Sequence, residues 1–226
     1  MKQSSRKQLL TRWVIYLAGM TILAMGLTLN TKTGLGASAV TSVAHTLSLA
    51  TGYTFGNITL VTYLVFIAAQ FIIKGKDRNW LDLLQLAVSV IFTRFLDLFK
   101  AAVPYQSGNL PIDLLLLVLS IVLTGTGAAM SIGMELVPNP ADGVVNALSH
   151  RTGKELGVCK SWFDVLNVTV SLVLGIFYGN PLLGIGIGTI ASMLGIGRFI
   201  SLFNRFFRKK LRTAAGLEEP AAVGTH

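Results

Sequence analysis

Several ionisable residues, among them Arg198, lie inside long apolar stretches, where a charged side chain is costly unless it has a partner or a function. Arg94 and Asp97 are three residues apart, so on a helix they share one face and can pair. Asp164 lies in another apolar stretch. We expect Asp97 or Asp164 to carry a coupling proton and Arg94 to bind an anion or to move during transport. The alternative is that Arg94 and Asp97 only neutralise each other and that Asp164 pairs locally.

A second group of candidates lies in two segments that are too polar for a membrane span and unusually apolar for a loop. Each predicts a loop followed by a short helix, over residues 37–51 and 140–152. Gly36 or Ser38 would cap the first helix, Asn139 with Pro140 would begin the second, and Gly52 and Gly153 would end them.

The N–H groups that begin a helix attract anions, so a short helix pointing into the membrane can bind a charged solute. We therefore expect both helices to be re-entrant and to contribute to one substrate site. The alternative is that they lie on the two membrane surfaces. The predicted substrate-binding residues are Ser38, Thr41, Ser42, His45, Asn139, Asp142, Asn146 and Arg94.

The composition of the whole chain is that of an integral membrane protein. Of its 226 residues 52% are hydrophobic and 13% are charged, with a mean hydropathy of +0.65. A soluble domain carries roughly 25% charged residues. Six apolar runs approach the ~20 residues that span a bilayer, and they predict an all-α protein of six transmembrane helices. These runs are Trp13–Leu29, Ile58–Ile73, Leu81–Phe99, Ile112–Met134, Ser161–Tyr178 and Leu182–Phe206.

The distribution of Lys and Arg predicts that both termini are cytoplasmic. With the N-terminus inside, only Lys32 and Lys100 fall in outer segments. The first apolar run is too long for a signal peptide, so it counts as a helix. The cytoplasmic segments carry Lys2, Arg6, Lys7, Arg12, Lys74, Lys76, Arg78, Arg151, Lys154, Lys160, Arg205, Arg208, Lys209, Lys210 and Arg212.

Two pairs of matching stretches indicate an internal repeat. Residues 47–56 match 148–157 at five of ten positions, and 94–99 match 198–203 at four of six. Each unit holds three spans, so the second copy must be inverted in the membrane. The predicted organisation is a basic cytoplasmic tail (1–12), repeat 1 (13–103), an extracytoplasmic linker (104–111), inverted repeat 2 (112–207) and a disordered cytoplasmic tail (208–226).

Several kinds of chemistry find no support in the sequence. Cys159 is the only cysteine and there are three histidines, so we expect neither a metal site nor a disulfide. No cofactor-binding, ATPase or hydrolase motif occurs, and we expect the protein not to be an enzyme. No basic surface interleaved with aromatic residues points to nucleic acid. The expected partners are the lipid bilayer and an unknown small-molecule substrate, with a homodimer left open.

Three motifs together resemble those of the YczE/YyaS/YitT group of bacterial membrane proteins. They are Gly-Leu-Gly-x-Ser at 34–38, Thr-Gly-x-x-x-Gly at 51–56 and Pro-Asn-Pro-Ala-Asp-Gly at 138–143. The short C-terminal tail makes the chain more similar to the YczE branch. The resemblance implies a protein of the bacterial inner membrane, in a group where transport is suspected.

These observations predict a small secondary transporter that imports or exports a small anionic or amphipathic solute by alternating access between its two repeats. Two other functions stay open. The chain would then be a substrate-binding membrane subunit of a separately energised complex, or a non-transporting assembly partner of another membrane protein.

Overall fold

The computed structural model describes residues 6–77 and 79–217, and it places eight α-helices and no strand in that part of the chain. Lys2, Arg78 and residues 218–226, which contributed to the charge pattern and the expected tail, lie outside the described residues. The helices are α1 (Arg6–Lys32), α2 (Ala39–Thr51), α3 (Phe55–Lys74), α4 (Leu84–Ala102), α5 (Leu110–Gly133), α6 (Pro140–Thr152), α7 (Leu156–Phe177) and α8 (Ile187–Ala214).

Five helices in the described residues, namely α1, α3, α5, α7 and α8, are long and apolar enough to cross a membrane. Their outer faces carry exposed large side chains such as Ile72, Leu115 and Phe177, which suit contact with lipid. The described residues therefore have the features of an all-helical, multi-pass membrane protein. The sixth predicted span corresponds to α4, which has 19 residues and carries Arg94, Asp97 and Lys100; it is not among the five.

The two short helices have the ends that the sequence predicts. Ser38 is the N-cap of α2, and the Asn139 side chain accepts a hydrogen bond from the backbone N–H of Ala141 at 3.0 Å at the start of α6. Gly52 and Gly153 end them in left-handed conformations, with φ of 76° and 66°. Each helix has 13 residues, about 20 Å, which is too short to cross a bilayer.

The last long helix differs from the prediction at both ends. It begins at Ile187, not at Leu182, because Pro181 precedes a turn in which Gly184 has a φ of +76°. At the other end, α8 continues to Ala214 in place of the disordered tail expected from residue 208.

The centre of the bundle is the antiparallel pair α1 and α5. Gly19 and Gly26 of α1 and Gly127 of α5 lie where the two backbones approach, and a Cβ on any of them would collide with the facing helix. Near one end of the pair, the Arg12 guanidinium donates to the Met134 carbonyl at 2.7 Å.

The other helices pack around this pair in matching positions. α4 lies on α1 and α8 lies on α5, while the short helices exchange, α2 packing on α7 and α6 on α3. Each short helix thus contacts a long helix from the other half of the chain. The exchange places the first turns of α2 and α6 inside the bundle and not on its outer surface.

Candidate functional site

The N-terminus of α6 lies beside the middle of a long helix. The Asn139 side-chain amide donates to the Tyr63 hydroxyl at 3.1 Å. Tyr63 lies near the middle of α3, which has 20 residues, and it is buried between Phe66 and Phe92. The first turn of α6, with the N–H groups that begin a helix, is therefore held at mid-depth of α3.

The first turn of α6 also carries a carboxylate that meets two charged residues of α7. Asp142 is half-buried, and it interacts electrostatically with Lys160 and with Asp164. The Lys160 ammonium lies 3.9 Å from Oδ1 of Asp164. Asp164 is only 7% exposed, and its Oδ1 accepts no hydrogen bond. Two carboxylates thus share one ammonium group in a largely buried place; we call Asp142, Lys160 and Asp164 the charged cluster.

Uncharged polar side chains of α3 and α4 also lie against the first turns of α6. The Gln85 amide of α4 donates to Oε1 of Gln70 on α3 at 3.2 Å, and both residues are fully buried. Oε1 of Gln70 lies so close to Gly143 that a Cβ at this position would collide with it. Oε1 of Gln85 and the hydroxyl of Ser89 are buried without a hydrogen-bond partner. The first turns of α6 are therefore surrounded by polar groups, some of them unsatisfied.

The predicted residues of α2 are all buried, but their hydroxyl groups bond mainly within the helix. Ser38 and Thr41 share a hydrogen bond at 2.9 Å, and Ser42 donates to the Ala39 carbonyl at 2.7 Å. Further along, Thr46 donates to the Leu183 carbonyl at 2.6 Å and so ties α2 to the connection between α7 and α8.

His45 lies apart from the charged cluster. Its imidazole lines a pocket of about 210 Å³ between the connection from α1 to α2 and the connection from α7 to α8. Asn146, predicted for the same site as Asp142, is exposed.

Arg94 and Asp97 also lie elsewhere, at the start of α3. The Arg94 guanidinium donates to Oδ1 of Asn57 at 2.6 Å and lies 3.8 Å from the Asp97 carboxylate. Asp97 accepts hydrogen bonds from the Gly56 N–H at 2.7 Å and the Thr54 hydroxyl at 2.9 Å. This carboxylate therefore satisfies the N-terminus of α3, and it lies apart from the charged cluster.

Sequence reasoning did not identify four residues around α6. Tyr63, Gln70 and Gln85 are uncharged polar residues within apolar runs, and a search limited to ionisable residues passes over them. Lys160 was counted among the loop charges, whereas the structure places it on α7, four residues before Asp164. The signal was present, because a Lys four residues from an Asp shares its helical face.

The charged cluster can bind a small solute or hold a proton. A buried carboxylate without hydrogen bonds is poorly stabilised as an anion, and it gains from a cation, a donor group or a proton. Within the described residues, no group of three His, Cys, Asp or Glu side chains is arranged to bind a metal ion.

Comparison with known proteins gives a family without an assigned function. The profile of DUF6198, a family of unknown function, matches residues 10–205, nearly the whole chain. No curated protein matches significantly. No solved structure matches significantly either. The chain belongs to DUF6198.

Proposed function

We propose that this member of DUF6198 is a small secondary transporter of the bacterial inner membrane. In this proposal α4 is the sixth span, both termini are cytoplasmic, and the two halves are inverted repeats. Its substrate is a small solute with an anionic group, which binds between the first turn of α6 and the charged cluster, with the first turn of α2 contributing polar groups. The three short motifs that resemble those of the YczE branch support the location and the architecture.

The observation that carries the proposal is the hydrogen bond between Asn139 and Tyr63. It holds the start of a short helix at the middle of a long one, where a helix lying on the membrane surface would not reach. Helix N-termini at this depth are a recurrent way to bind an anionic group in inverted-repeat transporters. Backbone of this kind is tolerated at membrane depth only where protein or water satisfies its polar groups.

The packing of the two halves supports alternating access. Corresponding helices occupy corresponding places, since α4 lies on α1 as α8 lies on α5, and α2 lies on α7 as α6 lies on α3. Such an arrangement can exchange the roles of its halves between two states. The glycine contacts bring the backbones of α1 and α5 close together, and we place the sliding of one half against the other at this interface.

Each member of the charged cluster has a separate role. Asp164 carries the coupling proton, because it is buried and its Oδ1 has no hydrogen bond. The Lys160 ammonium group pairs with Asp142, with Asp164 or with the anionic group of the solute at different stages of transport. Asp142 lies on the first turn of α6, and its attraction to Lys160 keeps this positive charge beside the start of the helix, where the solute binds.

The test begins with the purified protein in detergent and a library of metabolites, amino acids, inorganic anions and drugs. A compound that binds the folded protein raises its apparent Tm in a concentration-dependent way. Any hit is then measured for uptake in proteoliposomes. Asp142→Asn and Asp164→Asn should abolish uptake, while Asp82→Asn, which changes a carboxylate paired with Lys74 outside the cluster, should retain it.

Full uptake by both cluster variants would exclude this site. If a folded protein gives no hit in the library, the alternatives of a binding subunit or an assembly partner gain weight. Co-purification of the native complex from the membrane would then separate these two functions from transport.

A further inference from the structure

The pocket beside His45 lies where the two halves of the chain meet. The Ala37 N–H donates to the Gly184 carbonyl at 3.0 Å, and the Gly188 N–H donates to the Leu35 carbonyl at 2.7 Å. These bonds join the connection from α1 to α2 with the connection from α7 to α8. The walls of this His45 pocket are formed by Thr31, Gly34, Gly36, His45, Leu49, Ser107, Leu182, Gly184 and Ile185.

Glycine keeps much of the wall free of side chains. Gly34, Gly36 and Gly184 have φ of 67°, 103° and 76°, conformations in which other residues are strained. The pocket has a volume of about 210 Å³. This is below the ~300–1,000 Å³ of a drug-sized ligand site and suits a small molecule.

His45 is the buried polar group of this pocket. It is 5% exposed, its ring packs edge-on against Phe55, and its Nδ1 has no hydrogen-bond partner. A buried imidazole nitrogen without a partner is unfavourable. The ring lines the pocket, but Nδ1 itself is not accessible from it, so a ligand supplies the missing hydrogen bond once the ring turns toward the pocket.

Two lysines make the surroundings of His45 positive. The Lys100 ammonium lies 5.3 Å from the centre of the Phe55 ring, and it interacts electrostatically with both His45 and Lys32. The Asp97 carboxylate also interacts with Lys100, but its own charge lies 3.8 Å from the Arg94 guanidinium, and it accepts hydrogen bonds from Gly56 and Thr54.

We infer that the His45 pocket binds a small oxyanion, a carboxylate or a phosphate. The His45 imidazole donates the short-range hydrogen bond to the oxyanion, while Lys32 and Lys100 supply the attractive field. The pocket is separate from the charged cluster, so this inference does not depend on the transport proposal. The same chemistry is offered by a dissolved anion and by the phosphate of an anionic lipid headgroup.

The three histidines of the chain make a direct test practical. The full-length protein, labelled with ¹⁵N in its histidines, is titrated in lipid-free detergent with sodium phosphate or sodium acetate, with sodium chloride replaced so that ionic strength stays constant. We expect a saturable shift of one imidazole signal, which disappears in His45→Gln. A second titration uses phosphatidylglycerol.

Two lysine variants keep the test independent of any folding defect in His45→Gln. Lys100→Met should weaken the affinity for the anion by about two- to fivefold, since it removes one favourable charge. Lys154→Met, a change at an exposed lysine after α6, should leave the affinity unchanged. Thermal unfolding shows that each variant is folded.

A response to phosphate or acetate assigns a dissolved anion, and a response only to phosphatidylglycerol assigns the lipid headgroup. Both support an oxyanion site. The inference is overturned if the His45 signal responds to none of the three, or if Lys32→Met combined with Lys100→Met leaves the affinity unchanged.

Discussion

The two ends of the bundle are built differently, although they occupy corresponding places in the two halves. At one end the connection from α1 to α2 is rich in glycine and borders the His45 pocket. At the other end the connection from α5 to α6 is covered by side chains. Arg12 donates to the Met134 carbonyl, Tyr16 donates to the Val137 carbonyl at 2.9 Å, and Arg212 forms an ion pair with Glu135 at 2.5 Å.

The difference comes from the length of the last helix in each half. α4 has 19 residues, and α8 has 28. The additional turns of α8 bring Arg212 and Leu211 onto the connection from α5 to α6, where Arg212 is 5% exposed. We call Arg12, Tyr16, Glu135 and Arg212 the Glu135 latch. One end of the bundle is thus closed by a helix extension, and the other end holds a pocket.

Removing the extension should have the largest effect. A chain that ends after Phe207 loses Arg212 from the latch and the apolar contacts of Leu211, Ala215 and Leu217, worth about 3 kcal/mol in total. We expect a lower apparent Tm and rapid labelling of Val137→Cys in a Cys159→Ala background, measured in inverted membrane vesicles. A chain that ends after Leu217 is the control and should behave as the full-length protein.

A single change in the latch should have a smaller effect in the same direction. Arg212→Leu keeps the apolar stem but removes the ion pair with Glu135, at a cost of about 1–3 kcal/mol. Differential scanning fluorimetry in detergent should show a lower Tm than for the wild type. An unchanged Tm, together with unchanged labelling of Val137→Cys, would mean that the latch does not close this end.

The N-termini of α3 and α7, one in each half of the chain, also differ, because only α3 is capped by a carboxylate. Mutation should show this difference. Asp97 satisfies the start of α3, whereas Glu155 at the start of α7 makes no capping bond. Ser201, which the proposed repeat aligns with Asp97, donates to its own helix. Asp97→Ala should cost about 1–2 kcal/mol. Ser201→Ala should cost almost nothing. Equal losses in unfolding experiments would contradict the asymmetry.

At the pocket end, a change to an apolar residue should have the opposite sign. His45→Leu removes a buried nitrogen that has no hydrogen bond, so stability should stay level or rise by up to ~1 kcal/mol. Binding of phosphate or acetate should be lost. A marked loss of stability would show that His45 serves the packing against Phe55 more than it serves a ligand.

The smallest effect is expected at Arg94, whose side chain is half-exposed. Arg94→Ala breaks the bond to Asn57 and a long contact with Asp97, and an exposed pair of this kind contributes less than about 1 kcal/mol. Expression, Tm and uptake in proteoliposomes should all remain near wild type. A complete loss of uptake with normal folding would return Arg94 to the substrate site.

The elements that could be predicted are those with strong local signals. Asn139 with Pro140 and the glycines at 52 and 153 determine where the short helices begin and end, because capping and left-handed conformations depend on a few neighbouring residues. The predicted start of α8 at Leu182 was wrong, because residues 182–187 are apolar in composition. Only the backbone conformation of Gly184 shows that this segment is a turn.

The candidate site was only partly predictable. Asp142 and Asp164 do meet, together with Lys160, while Arg94, Asp97 and His45 lie in other places. A sequence shows that a charge lies in an apolar run, but not which neighbouring helix its side chain faces. That depends on helix rotation and on the exchange of α2 and α6 between the halves, which arises from packing over long sequence distances.

Labelling of single cysteines tests alternating access most directly. Thr41→Cys on α2 and Asp142→Cys on α6 are made in the Cys159→Ala background and exposed to a membrane-impermeant maleimide, in whole cells and in inverted vesicles. Arg151→Cys should react only in inverted vesicles, and the lipid-facing Val173→Cys in neither preparation. If the protein alternates between two states, both Thr41→Cys and Asp142→Cys react from both sides of the membrane. Reaction of each from one side alone, or from neither in a folded protein, would contradict it.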